Sequence, residues 1–224
     1  MTGAPLAWVP LGCLLIGALI QVAEARTASS EVRAGQSGLS RNRPPGAEAQ
    51  IRQSELDRLK EMVRSLGGKP EHASILLNAG RQFEIDPLLL AAVTFVESSF
   101  NPTAKSKCGA RGLMQLRSVV LNVLGVTNPW DPHENIMAGA AYLRNCFERY
   151  DRYENATYLA LAAYNIGPGP VSKLTGSDPA ERFVRKVLSV YNRLTDEPIP
   201  VTRQPLRETN GKRRSAWAEV LELH

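Results

Sequence analysis

The stretch whose reading decides the fold is "DPLLLAAVTFVESSF", residues 86–100. It opens on a helix start: Asp86 has the short acceptor side chain that an N-cap needs, and Pro87 takes the first helical position, where its missing N–H is no loss. No Gly or Pro interrupts the apolar run that follows. At about 100° per residue, Leu89, Val93 and Val96 fall on one stripe. Glu97 lies at i+4 from Val93, on the flank of that stripe and not on the wet side. Partial burial disfavours a carboxylate anion, and so does the negative end of the helix dipole. Both effects raise the pKa of Glu97, and an acid still protonated near neutrality is what a general acid requires. The plainer reading is a partly exposed glutamate at a fraying helix end. Helix geometry alone favours that one.

Working outward, the Asp-Pro start recurs at Asp131-Pro132 and at Asp178-Pro179, where Glu181 completes a variant capping box. Upstream, "SELDRLKEMVRSL" has Ser54 as a cap and stops at Gly67-Gly68, and "PEHASILLNAGRQF" follows with Gly80 as a weak point. Ser118 can cap "SVVLNVLG", and Asn155 can cap "NATYLALAAYN". No stretch alternates over strand length. The expected fold class is all-α, with one helical domain over residues 51–195. Residues 26–50, rich in Ser, Gly, Arg and Pro, read as a linker, and residues 196–224 as a proline-rich, charged tail, mostly extended. Its end, "SAWAEVLELH", can form a short helix with Trp217, Val220 and Leu221 on one side.

The 224 residues are 43% hydrophobic and 22% charged, enough for one packed domain with tails. The net charge of +5 suits an anionic polymer or membrane surface. No basic run interleaves with aromatics, so nucleic acid is not an expected partner. Residues 1–25 read as an export signal, with a short apolar block, "LGCLLIGALIQV", and small residues Ala23 and Ala25 before a cut after Ala25. The preceding segment has no Lys or Arg, which fits an uncleaved anchor instead. The expected location is outside the cytoplasm, in the periplasm or cell envelope. Cleavage would leave two cysteines, Cys108 and Cys146, and an even count in an exported protein points to a disulfide, with two independent thiols as the alternative. The three histidines are scattered, with no zinc-like spacing to a cysteine, so no metal or cofactor is expected.

Residues 97–116, "ESSFNPTAKSKCGARGLMQL", resemble the opening motif of the soluble-lytic-transglycosylase (SLT) domain family, a goose-lysozyme-like helical fold that cleaves peptidoglycan. Two further blocks match in the family's order. "ENIMAGAAYL", residues 134–143, is similar to its N-I-x-x-G-x-x-Y-L helix, and "AAYNIGPGPV", residues 162–171, to its A-Y-N-x-G turn. The resemblance implies that Glu97 is the single catalytic acid/base. It implies that Ser106, Met114, Gln115, Tyr164 and Asn165 line the substrate groove, although Met114 also suits a core position. Asn135 reads as a cap-region polar group and Gly139 as a close-packing site. In one respect the chain departs from the pattern: Arg117-Ser118 stands where the family usually has Met-Pro, putting a cation beside the groove. The cysteines are not part of the motif.

The implied reaction cleaves the β-1,4 bond between N-acetylmuramic acid and N-acetylglucosamine and leaves a 1,6-anhydro end. Ordinary glycosidases use two carboxyl groups. Here Asp86, Asp131 and Asp178 are better explained as caps, and an intramolecular C6 hydroxyl has a high enough effective concentration to attack without a second carboxylate. Two readings compete: a hydrolysing muramidase on the same fold, and a catalytically weak wall-binding module. Family analogy adds a secretion or conjugation machine of the envelope as a partner.

Overall fold

The structure, a computed structural model, describes residues 47–169, 171, 179–195 and 199. These hold seven helices: α1 (Ala47–Ser65), α2 (Pro70–Phe83), α3 (Pro87–Ser98), α4 (Ser118–Val123), α5 (Pro132–Tyr150), α6 (Ala156–Ile166) and α7 (Pro179–Leu194). The only β pairing among the described residues is two isolated bridges in the loop between α3 and α4, so the expected all-α class holds.

Helix α3 is the centre of the arrangement. It packs against α2 on one side and α7 on another, while α5 packs against α2 and α6, and α6 against α7. Six consecutive residues of α3, Leu89 to Thr94, are buried. A helix apolar on every face must be enclosed on every face, so the single stripe expected from Leu89, Val93 and Val96 understates the burial. The one polar side chain in this run, Thr94, is satisfied by donating its hydroxyl to the Leu90 carbonyl at 2.8 Å. At the other end of α3, Asp86 accepts from the Leu88 N–H at 2.8 Å, as a cap should, and its second oxygen accepts from the Tyr191 hydroxyl of α7 at 2.6 Å. One carboxylate thus starts the central helix and ties it to the last one.

Asp131 caps α5 by accepting from the Glu134 N–H at 2.8 Å. Other starts differ from expectation. Helix α1 begins at Ala47, so Ser54 is interior, its hydroxyl donating back to the Ile51 carbonyl at 2.8 Å, and the segment expected as linker is helical over its last four residues. The cap position of α4 is Arg117 and not Ser118, which is the first helical residue. Asn155 occupies the cap position of α6 but makes no side-chain cap bond. Gly80 is no weak point: a Cβ there would come within 2.7 Å of the Ile85 carbonyl and of Pro87, so only glycine lets α2 turn closely into α3. Asp178 lies outside the described residues, as do the export signal and the terminal Trp217 segment. Glu181 is buried and pairs with Arg185 at 2.7 Å.

Among the described residues no helix is long and apolar enough to cross a membrane. The expected disulfide does not form. Cys108 is exposed on the α3–α4 loop, Cys146 is buried in α5, and both thiols are free. A bridge needs two cysteines on facing, closely spaced backbone; the Cys146 thiol is instead shut in beside Tyr142 while Cys108 stays at the surface.

Candidate active site

Glu97 sits where the enclosed helix comes out. It is half-buried, in the last turn of α3, after six buried residues. Burial pushes its carboxyl from the ordinary 4.5 up to about 8. No neighbouring cation or second carboxylate contributes among the described residues; burial is the whole cause. Immediately after it the chain turns sharply. Ser99 and Phe100 both take left-handed backbone, at φ 51° and 60°, which costs about 1 kcal/mol or more per non-glycine residue. Phe100 offsets this by burying its ring, stacked on His72 at 5.5 Å between centroids.

The segment Gly112–Leu116 is fastened to three helices at successive positions. The Ser98 hydroxyl of α3 donates to the Leu113 carbonyl at 2.7 Å. The Met114 N–H donates to Asn135 Oδ1 of α5 at 2.8 Å, and the Met114 carbonyl accepts from the Tyr164 hydroxyl of α6 at 2.8 Å. Asn135 also donates to the Arg111 and Pro129 carbonyls, at 3.1 and 2.9 Å. It is fully buried, so the reading of a cap-region polar group is wrong: it is the anchor of the loop. Gly112, at φ 78°, has no room for a Cβ against the Asn135 side chain and the Pro129 carbonyl.

The remaining residues take distinct places. Met114 has no exposed surface and packs against Gly139, so its side chain is core and not a groove contact. Gln115, at φ 50°, spends its Nε2 on the Ala104 and Gly112 carbonyls, both at 2.9 Å. Ser106 Oγ accepts from the Ala110 N–H at 3.0 Å, shaping the loop turn. Tyr164 is buried, and Glu97 is among the causes that raise its phenol pKa, so the two lie within electrostatic reach. Asn165 is half-buried one residue further on.

Sequence reasoning missed Ser98 and Tyr142. Tyr142 packs its ring on Tyr164 at 5.2 Å. Both stand inside the matched blocks, so position was available as a signal; their partners were not. A cavity of about 460 Å³ lies elsewhere, lined by Asp86, Leu89, Arg144, Phe147 and Glu148 among others. From Asp86 to Glu97 is about 16 Å along α3, so this cavity belongs to the opposite end of the helix. No group of three or more His, Cys, Asp or Glu able to hold a metal stands among the described residues.

Residues 74–184 match the family model of the transglycosylase SLT domain. A membrane-bound lytic murein transglycosylase F from Desulfosudis oleivorans is 39% identical over 119 residues, covering 49% of this chain and 26% of that protein. The transglycosylase of Enterobacteria phage PRD1 is 40% identical over 123 residues, covering 55% of this chain and 44% of the phage protein. Among solved structures, an inactive mutant of the lytic transglycosylase Slt from Pseudomonas aeruginosa aligns with a TM-score of 0.48 and 28% identity, over 55% of this chain and 24% of that one. The chain therefore spans less than half the length of these relatives. The matched residues hold α3, α5 and α6, the helices that carry Glu97 and fasten the loop beside it, and residues 74–184 form a transglycosylase SLT domain.

Proposed function

We propose that this protein is a peptidoglycan lytic transglycosylase with Glu97 as its single acid/base. The observation that carries the reading is a half-buried carboxyl group at the C-terminal end of a buried helix, with no second carboxylate acting on it among the described residues, its pKa pushed up to about 8. Protonated Glu97 gives its proton to the oxygen bridging N-acetylmuramic acid and N-acetylglucosamine. The substrate's acetamido group stabilises the sugar carbon as the bond breaks. Glu97, now anionic, takes the proton of the C6 hydroxyl as that oxygen closes the anhydro ring, and the acid is regenerated. A second carboxylate close enough to act as nucleophile or base would add repulsion to the pKa of Glu97; among the described residues none does. The names of the relatives, lytic murein transglycosylases, agree with this chemistry.

Mass spectrometry of digested peptidoglycan tests it. Products with 1,6-anhydro ends are expected; reducing ends carrying an added water would make the protein a hydrolysing muramidase instead. Glu97→Gln should lower turnover by at least about a hundredfold, and unchanged wall clearing would leave only a wall-binding module. Export through residues 1–25, and docking of residues 196–224 on an envelope machine, rest on the sequence. Deleting residues 196–224 without effect on activity or localisation would remove the docking idea.

A further inference from the structure

Charge is unevenly spread along this chain. Residues 98–130 contain Lys105, Lys107, Arg111 and Arg117 and not one Asp or Glu, so this segment carries a net charge of +4 with no acid of its own to offset it. It is the same segment that is fastened beside Glu97 through Leu113 and Met114. Its backbone sets two of the cations face to face and a third on the residue beyond them. Lys105 is bridged to Arg111, and Arg111 to Leu116 through two hydrogen bonds of 3.0 Å, with Arg117 next in the chain. Bridged residues sit about 5 Å apart, and like charges facing each other at that spacing repel. No ion pair with a described residue relieves them. Lys105, Lys107 and Arg117 are exposed and Arg111 is half-buried.

The cations do not serve the acid. A cation close to Glu97 would hold its carboxyl low, yet burial raises it unopposed. Arg117 acts instead on the phenol of Tyr142, whose ring packs on Tyr164. It stands at the tyrosine edge of the site, displaced from the carboxyl group.

We propose that Lys105, Arg111 and Arg117 form a carboxylate-binding rim that selects glycan strands bearing ionised carboxylates and seats them beside Glu97. The inference rests on the transglycosylase reading and adds a specificity to it. Water and mobile ions screen the repulsion between Lys105 and Arg111 in part; an anion bridging the pair relieves more of it, and the peptide substituents of wall glycan supply carboxylates.

The experiment uses the full chain on native peptidoglycan and on the same material with its carboxylates converted to amides by carbodiimide and ammonia. The wild type should show a KM about tenfold higher on amidated glycan, and exposed ion pairs of ordinary strength predict about a two- to fivefold rise on native glycan for each of Lys105→Gln and Arg117→Gln. The double variant should lose most of the preference, Arg117→Lys should keep most of it, and raised salt should weaken the preference in the wild type. A wild-type KM blind to amidation overturns the rim, and so does a double variant that keeps the full preference. End-group analysis of the same digests separates the two ideas. Anhydro ends with a charge-blind KM sink only the rim; hydrated ends sink the transglycosylase reading whatever the charge preference.

Discussion

Replacing Glu97 by glutamine should make the protein more stable at neutral pH, by an amount that depends on pH. The folded carboxyl titrates at about 8 against an ordinary value of 4.5. The folded state therefore holds its proton more tightly than the unfolded state. Stability associated with this group is fully present below pH 4.5, falls as pH rises, and is lost once pH passes 8. Each pH unit in that window is worth 1.36 kcal/mol, so the penalty reaches at most about 3 kcal/mol at pH 7. Glu97 keeps part of its surface in water, and screening reduces the figure to about 1–3 kcal/mol. Glutamine has nearly the same shape and no charge, so it escapes the penalty. Urea unfolding of both proteins at pH 4.5, 6, 7 and 9 should give curves that start close together and diverge up to pH 8. A constant difference across the range, or a less stable Glu97→Gln at pH 9, would refute the reasoning that burial alone sets this pKa.

The pH profile of kcat/KM should be flat below about 8 and fall tenfold per unit above it, because the free enzyme must carry the proton; a fall beginning near pH 5 would contradict the raised carboxyl. Asn135→Ala removes three hydrogen bonds, to Arg111, Met114 and Pro129; the Arg111 carbonyl keeps its bond from the Leu116 N–H, but the buried Met114 N–H loses its partner, which should cost about 1–3 kcal/mol in chemical denaturation. Tyr164→Phe strands the Met114 carbonyl, with an expected loss of about 1–3 kcal/mol and lowered kcat. Gly139→Ala puts a Cβ within 2.8 Å of Met114 Cβ, and overpacking of about 1–3 kcal/mol should appear as a lowered Tm.

Much of this molecule was written locally. Asp86-Pro87 and Asp131-Pro132 start helices where the sequence says they do, since a cap and its target N–H lie within three residues of each other. Where that signal is weak it misleads: Ser54 and Ser118 have capping side chains, but α1 began earlier and α4 one residue sooner than a serine cap requires. The three motif blocks and their order fix Glu97 at the end of its helix and the loop that follows. They do not say what the blocks do for one another. Asn135 reads as a cap-region amide, but α5 uses it to hold the loop; for Met114 the sequence left groove and core both open, and the packing against Gly139 makes it core. The bonds that assemble the site join residues 15, 21 and 50 positions apart: Ser98 to Leu113, Asn135 to Met114, Tyr164 to Met114. A local sequence pattern identifies such residues but not their partners. The raised pKa of Glu97 is of the same kind. The sequence put a carboxyl group beside an apolar run, and only the tertiary packing around the end of α3 took enough water away to keep it protonated.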